Sequence, residues 1–129
     1  MWIEENLNPL QRITGDCAVR AVAKALDTTW EKAHLMLSAN SFLMGDIQNS
    51  NTVIGSVLRE NGFKRANIPN SCPDCYTIYD FTENNKEGTF VVFTGNHVVA
   101  IINGKYYDTW DSGDESIIYV WYKDVEPIF

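Results

Sequence analysis

A thiol, an imidazole and a carboxylate brought together supply a nucleophile, a base and a group that orients the base. In this chain Cys17, His97 and Asp108 are the residues whose surroundings suit those roles. Cys17 stands where the loop "LQRITGD" gives way to the alanine-rich segment "CAVRAVAKAL". A thiol in the first turn of a helix meets unpaired backbone N–H groups and the positive end of the helix dipole, and both favour the thiolate. The competing reading is apolar, since an unpaired cysteine is among the most buried residue types and this segment is rich in Ala and Val. Gly15 permits close backbone approach. Gln11, six residues before the cysteine, could bring its amide beside the Cys17 N–H as an oxyanion donor. Asp16 sets a condition: its charge opposes thiolate formation unless it caps the helix and points away.

His97 and Asp108 are linked by a hairpin. Asn103-Gly104 is a strong two-residue turn signal. With those two residues in the turn, Ile102 pairs with Lys105, Ile101 with Tyr106, Val99 with Asp108 and His97 with Trp110. Alternation then places His97, Val99, Asp108 and Trp110 on one face and Asp111 on the other. Diagonal neighbours lie roughly 7–8 Å apart along the backbone, within reach of a carboxylate–imidazole hydrogen bond. Trp110 would cover the pair. Taken singly, His97 reads as a half-buried strand histidine and Asp108 as the start of the turn "DTWDSGD".

The elements that must hold these residues are helical first and extended later. Residues 16–26 place Val19, Val22, Ala23 and Leu26 on one helical stripe, with Asp16 as N-cap. A second helix starts at a Thr28/Glu31 capping box and runs toward Asn40. A third spans 52–61 and stops at Gly62. Residues 64–75 read as loop, and 76–86 as a short helix. Strands follow at 89–94, 97–102, 105–110 and 117–122. Residues 1–129 form one α+β domain, with N-terminal helices packed on a C-terminal antiparallel sheet.

The balance of 10 basic against 17 acidic residues gives a net charge of −7, with no basic run along the sequence. Phosphate backbones are bound by clustered Lys and Arg, so no nucleic-acid partner is expected. No segment approaches the ~20 apolar residues of a membrane span, and "MWIEENLNPL" is no secretory signal. A cytoplasmic location, no membrane partner and reduced thiols are therefore expected. Cys72 and Cys75 form "CPDC", half of a zinc pattern; with His34 a fourth ligand is still missing, so the expectation is no metal, no cofactor and two loop thiols, reversibly bridged. His34, four residues after Trp30, reads as a core-edge residue, and the run "DSGDE" as a solvated turn.

The set Gln11, Cys17, His97, Asp108 and Trp110 resembles the papain-like cysteine peptidase superfamily. The histidine context "NHVVAI", the "DTW" that follows it and the order of helices before sheet are similar too. The Asp16-Cys17 pair resembles the bacteriocin-processing branch more than papain itself. The resemblance implies a papain-like fold and a peptidase cleaving peptide or protein substrates. Cys17 would be the nucleophile, His97 the base, Asp108 the orienter, Gln11 the oxyanion residue and Trp110 the shield of the His–Asp bond. The chain is short for such an enzyme, which implies reduced substrate-binding elements. A related cell-wall endopeptidase, an acyl transferase and a non-catalytic binding or inhibitory module are the alternatives.

Overall fold

The central strand "TFVVF" is apolar at every position but its first, and the structure explains why. The computed structural model describes residues 1–69 and 76–129. Its described residues form six strands, β1 (Trp2–Glu4), β2 (Lys64–Asn67), β3 (Thr89–Phe93), β4 (Val98–Ile102), β5 (Lys105–Asp108) and β6 (Tyr119–Tyr122). They also form four helices, α1 (Cys17–Ala25), α2 (Trp30–Met44), α3 (Asn51–Glu60) and α4 (Ile78–Asn84). The strands make one mixed sheet in the order β1-β5-β4-β3-β6-β2. Both faces are covered, so β3 is buried on both sides. Val91 and Phe93 join Val98, Ala100 and Trp121 against α1, α2 and α3. Phe90 and Val92 join Val99, Ile101 and Val120 against Ile78 and Phe81 of α4. The chain is α+β, and among the described residues no helix is long and apolar enough to cross a membrane.

The β4–β5 hairpin has the expected register, with Ile102 opposite Lys105 and Ile101 opposite Tyr106. Asn103 and Gly104 both have positive φ (51° and 77°), the condition for a type I′ turn. Helix α1 packs its buried Ala18, Val19, Ala21, Val22 and Ala23 on the sheet. Helix α3 starts at Ser50, whose side chain accepts from the Val53 N–H, and buries Val53, Ile54, Val57 and Leu58. Helix α4 opens on a reciprocal capping box between Thr77 and Asp80.

Four expectations need correction. Helix α2 is capped by Thr29, whose hydroxyl accepts from the Lys32 N–H, and not by a Thr28/Glu31 box. It also continues past Asn40 to Met44 and ends at left-handed Gly45. Phe42 and Leu43 in that last turn are exposed, so no core-facing periodicity marks them. Strand β2 lies within the stretch read as loop and pairs antiparallel with β6. Its sequence "KRAN" is that of a short charged edge strand, which carries no apolar alternation. Strand β1, only three residues long, pairs parallel with β5, so the sheet is not purely antiparallel. Cys72 and Cys75 lie outside the described residues.

Candidate catalytic site

The site assembles where α1 begins and the β4–β5 ladder ends. Asp16 is the N-cap of α1, and its carbonyl accepts the first intrahelical bond, from the Arg20 N–H. Its backbone is not extended (φ −105°, ψ 23°), so its carboxylate makes no cap bond. The carboxylate instead turns inward and accepts from Asn8 Nδ2 at 3.1 Å, Trp30 Nε1 at 3.0 Å and Arg20 Nε at 2.9 Å. Burial alone would raise its pKa, but the bonds from Arg20, Trp30 and Asn8 outweigh that and hold it below the usual carboxylate range. The capping expected of the Asp16 side chain does not occur; its charge is answered instead by Arg20, Trp30 and Asn8.

Cys17 is the first residue of α1 and is partly buried. Its sulfur lies against His97 and the backbone N–H of Val98. Burial pushes the thiol pKa up. The hydrogen bond and charge of His97, the Val98 N–H and the charge of Arg20 together bring it below the ordinary thiol value.

His97 immediately precedes β4, and its Nε2 meets Asp108 Oδ2 at 2.6 Å. That leaves Nδ1 for the thiol. Burial opposes the imidazolium, yet the bonds to Asp108 and Cys17 raise its pKa to about 9. The lowered thiol and the raised imidazole both shift the pair toward thiolate and imidazolium.

Asp108, the last residue of β5, is 1% exposed. Besides His97 it accepts from Ser112 Oγ at 2.8 Å, Arg20 Nη1 at 3.1 Å and the Thr109 N–H at 2.8 Å. Burial raises its pKa, but the His97, Ser112 and Arg20 interactions win and keep it ionised. Its backbone carbonyl accepts from Trp2 Nε1 and the Glu5 N–H, so the β1 segment pins the end of β5. Trp110 lies over the imidazole, ring centroids 5.2 Å apart, and is itself half exposed.

His97 and Asp108 meet as expected, but not through strict alternation along the hairpin. Val99 belongs to the α4-side core, on the face opposite Cys17. The ladder is paired only as far as Ala100 and Tyr107. His97 and Asp108 meet beyond it, where side chains no longer alternate strictly. Asp111 bonds to the Tyr106 hydroxyl and takes no part in the pair with His97.

Gln11 is not brought to the thiol. It has φ 55°, and its amide nitrogen donates to the carbonyls of Asn6 and Asn8, both at 2.9 Å. It borders a cleft together with Thr109, the residue after Asp108, so its loop lies beside the site with the amide turned inward on itself.

Arg20 and Ser112 escaped the sequence reading. Arg20 lies four residues after Asp16, a helical ion-pair spacing, but its reach to Asp108 is a long-range contact. Ser112 sits in the run expected to be solvated and is fully buried. Among the described residues no group of His, Cys, Asp and Glu is arranged to hold a metal. No protein-family model, curated protein or solved structure matches this chain.

Proposed function

We propose that this chain is a small thiol hydrolase, a papain-like cysteine peptidase that cleaves a peptide or amide bond. The observation that carries the reading is the Cys17–His97–Asp108 relay, with a thiol pKa below its ordinary value and an imidazole pKa raised to about 9. The Cys17 thiolate attacks the substrate carbonyl carbon, forming the S–C bond of a tetrahedral intermediate. The Cys17 backbone N–H, in the open first turn of α1, faces the oxyanion. His97 then gives its proton to the leaving amine as the C–N bond breaks. Water, deprotonated by the imidazole, hydrolyses the thioester; an amine acceptor in its place would make the reaction acyl transfer. Asp108 holds the imidazole orientation throughout, and Trp110 limits water at the His–Asp bond. An oxyanion role for Gln11 requires its loop to turn outward and release the carbonyls of Asn6 and Asn8.

That inward turn of Gln11 is the observation favouring a second reading, a papain-like fold kept as a binding or inhibitory module. Alkylation of Cys17 by iodoacetamide against pH, in wild type and His97→Ala, tests whether the thiol is activated. An activated thiol reacts well below pH ~8.5 and loses that advantage without His97. A Cys17 rate that rises only with an ordinary thiol titration removes the enzymatic reading. Cleavage of a peptide library then separates a hydrolase from a module with a reactive but idle thiol.

A further inference from the structure

The chain carries four arginines against 17 acidic residues, and the nearest two in sequence, Arg59 and Arg65, stand six positions apart. The fold brings these two to one place. Arg59 of α3 and Arg65 of β2 line a cleft of about 200 Å³ whose lining includes no carboxylate. Among the described residues neither guanidinium makes a salt bridge. Each is stacked on an aromatic ring, Arg65 at 3.9 Å from the Tyr119 centroid and Arg59 at 5.3 Å from that of Trp121. Stacking holds a guanidinium by its face and leaves its N–H edge to bind.

Two further donors belong to the same cleft. Asn51 and Thr52, the first two residues of α3, line it. The Ser50 side chain accepts the Val53 N–H and its carbonyl the Ile54 N–H, and among the described residues the N–H groups of Asn51 and Thr52 in the first turn have no acceptor. Trp121, also in the lining, has a buried Nε1–H with no acceptor among the described residues.

We propose that this cleft binds a single oxyanion group, a carboxylate or a phosphate, through the guanidinium edges of Arg59 and Arg65 and the first-turn N–H groups of α3. A planar guanidinium fork matches both anions, and two forks around one group give the charge-assisted bonds that hold it. At about 200 Å³ the cleft is smaller than the roughly 300–1,000 Å³ of drug-sized ligand pockets, which suits a single anionic group. The cleft lies on the thiol's side of the sheet, two strands away. Tyr119 is paired with Phe93, and Phe93 with Val98, whose N–H meets Cys17. The site stands whether or not Cys17 is a nucleophile.

The test titrates the full chain with inorganic phosphate and, separately, with a short glutamate-containing peptide and its glutamine counterpart, at constant ionic strength. Indole N–H resonances report binding, with that of Trp121 assigned through Trp121→Phe. The expected result is a saturable shift of the Trp121 resonance, with those of Trp30 and Trp110 unmoved. In the Arg59→Gln/Arg65→Gln variant, affinity falls by about tenfold or more while the other indole resonances keep their positions. Response to phosphate alone identifies a free phosphate-bearing ligand. Response to the glutamate peptide but not its glutamine counterpart identifies an acidic segment. No saturable shift at about 10 mM of either, or binding undiminished in the double variant, overturns the proposal.

Discussion

Replacing Arg20 with glutamine is the most informative change to the candidate site. Its guanidinium joins Asp16 Oδ1 at 2.9 Å to Asp108 Oδ1 at 3.1 Å, and the three side chains are only 11%, 8% and 1% exposed. Removing one partner of a buried pair costs about 3–5 kcal/mol when the remaining charge is left bare. Neither carboxylate is left bare here, since Asp16 keeps Asn8 and Trp30, and Asp108 keeps His97, Ser112 and the Thr109 N–H. The expected loss at pH 7 is therefore about 2–4 kcal/mol. With a urea slope of about 1.5–2 kcal/mol/M, the unfolding midpoint falls by about 1–2 M. The pH dependence follows from the direction of the shifts. Both aspartates have folded pKa values below their unfolded ones, so their contribution is full above the unfolded value of about 3.9 and is lost as pH falls through the folded values. Wild type and Arg20→Gln therefore converge below about pH 4. The same substitution takes a positive charge away from Cys17, so its thiol pKa rises and alkylation at pH 6 slows. Arg20→Lys restores only part of either effect, because the guanidinium reaches the two carboxylates through two separate nitrogens, Nε and Nη1, and a single ammonium nitrogen does not reproduce that planar span. A loss of under about 1 kcal/mol that does not vary with pH, together with an unchanged alkylation profile, would refute the view of Arg20 as the bridge that holds Asp108 in place.

Two further outcomes are expected. The folded His97 pKa of about 9 lies above the unfolded value, so its contribution is full below about pH 6.5 and disappears as pH rises through 9; urea midpoints of wild type and His97→Ala should differ at pH 6 and meet near pH 10. On the proposed hydrolase reading with the Gln11 loop turned outward, Gln11→Ala leaves Cys17 alkylation unchanged and lowers peptide hydrolysis by about a hundredfold, because an oxyanion donor acts only once a carbonyl is attacked; equal hydrolysis by the two proteins would confine Gln11 to holding its own loop, as its bonds to Asn6 and Asn8 do here.

What could be read from the sequence was local. Helix α1 shows itself through 3.6-residue spacing, and the β4–β5 hairpin through Asn103-Gly104, whose positive φ values fix the register. The hairpin places His97 near Asp108, and only the resemblance to papain-like peptidases brought Cys17 to them. What was hidden is held by contacts distant in sequence or by segments too short to show a period. Strand β1 has three residues, yet the Trp2 indole and the Glu5 N–H bond the Asp108 carbonyl across more than a hundred positions. Arg20 reaches Asp108 across 88 positions. Neither contact leaves a spacing pattern.

The two kinds of information meet at Asp16. Sequence reasoning weighed its charge against the thiolate as if the pair stood alone, which left capping or repulsion as the outcomes. In the folded chain the carboxylate, the guanidinium and Asp108 form a continuous buried chain of opposite charges, and the thiol senses its cationic middle. At an effective dielectric constant of about 20, a unit charge acts over several ångströms with energies of a few kcal/mol. An acid next to a nucleophile therefore does no harm once a cation one helical turn later is shared with the acid that orients the base. A substitution that breaks the sharing, and not one that merely deletes the Asp16 charge, should therefore raise the Cys17 pKa, by less than the loss of His97 raises it.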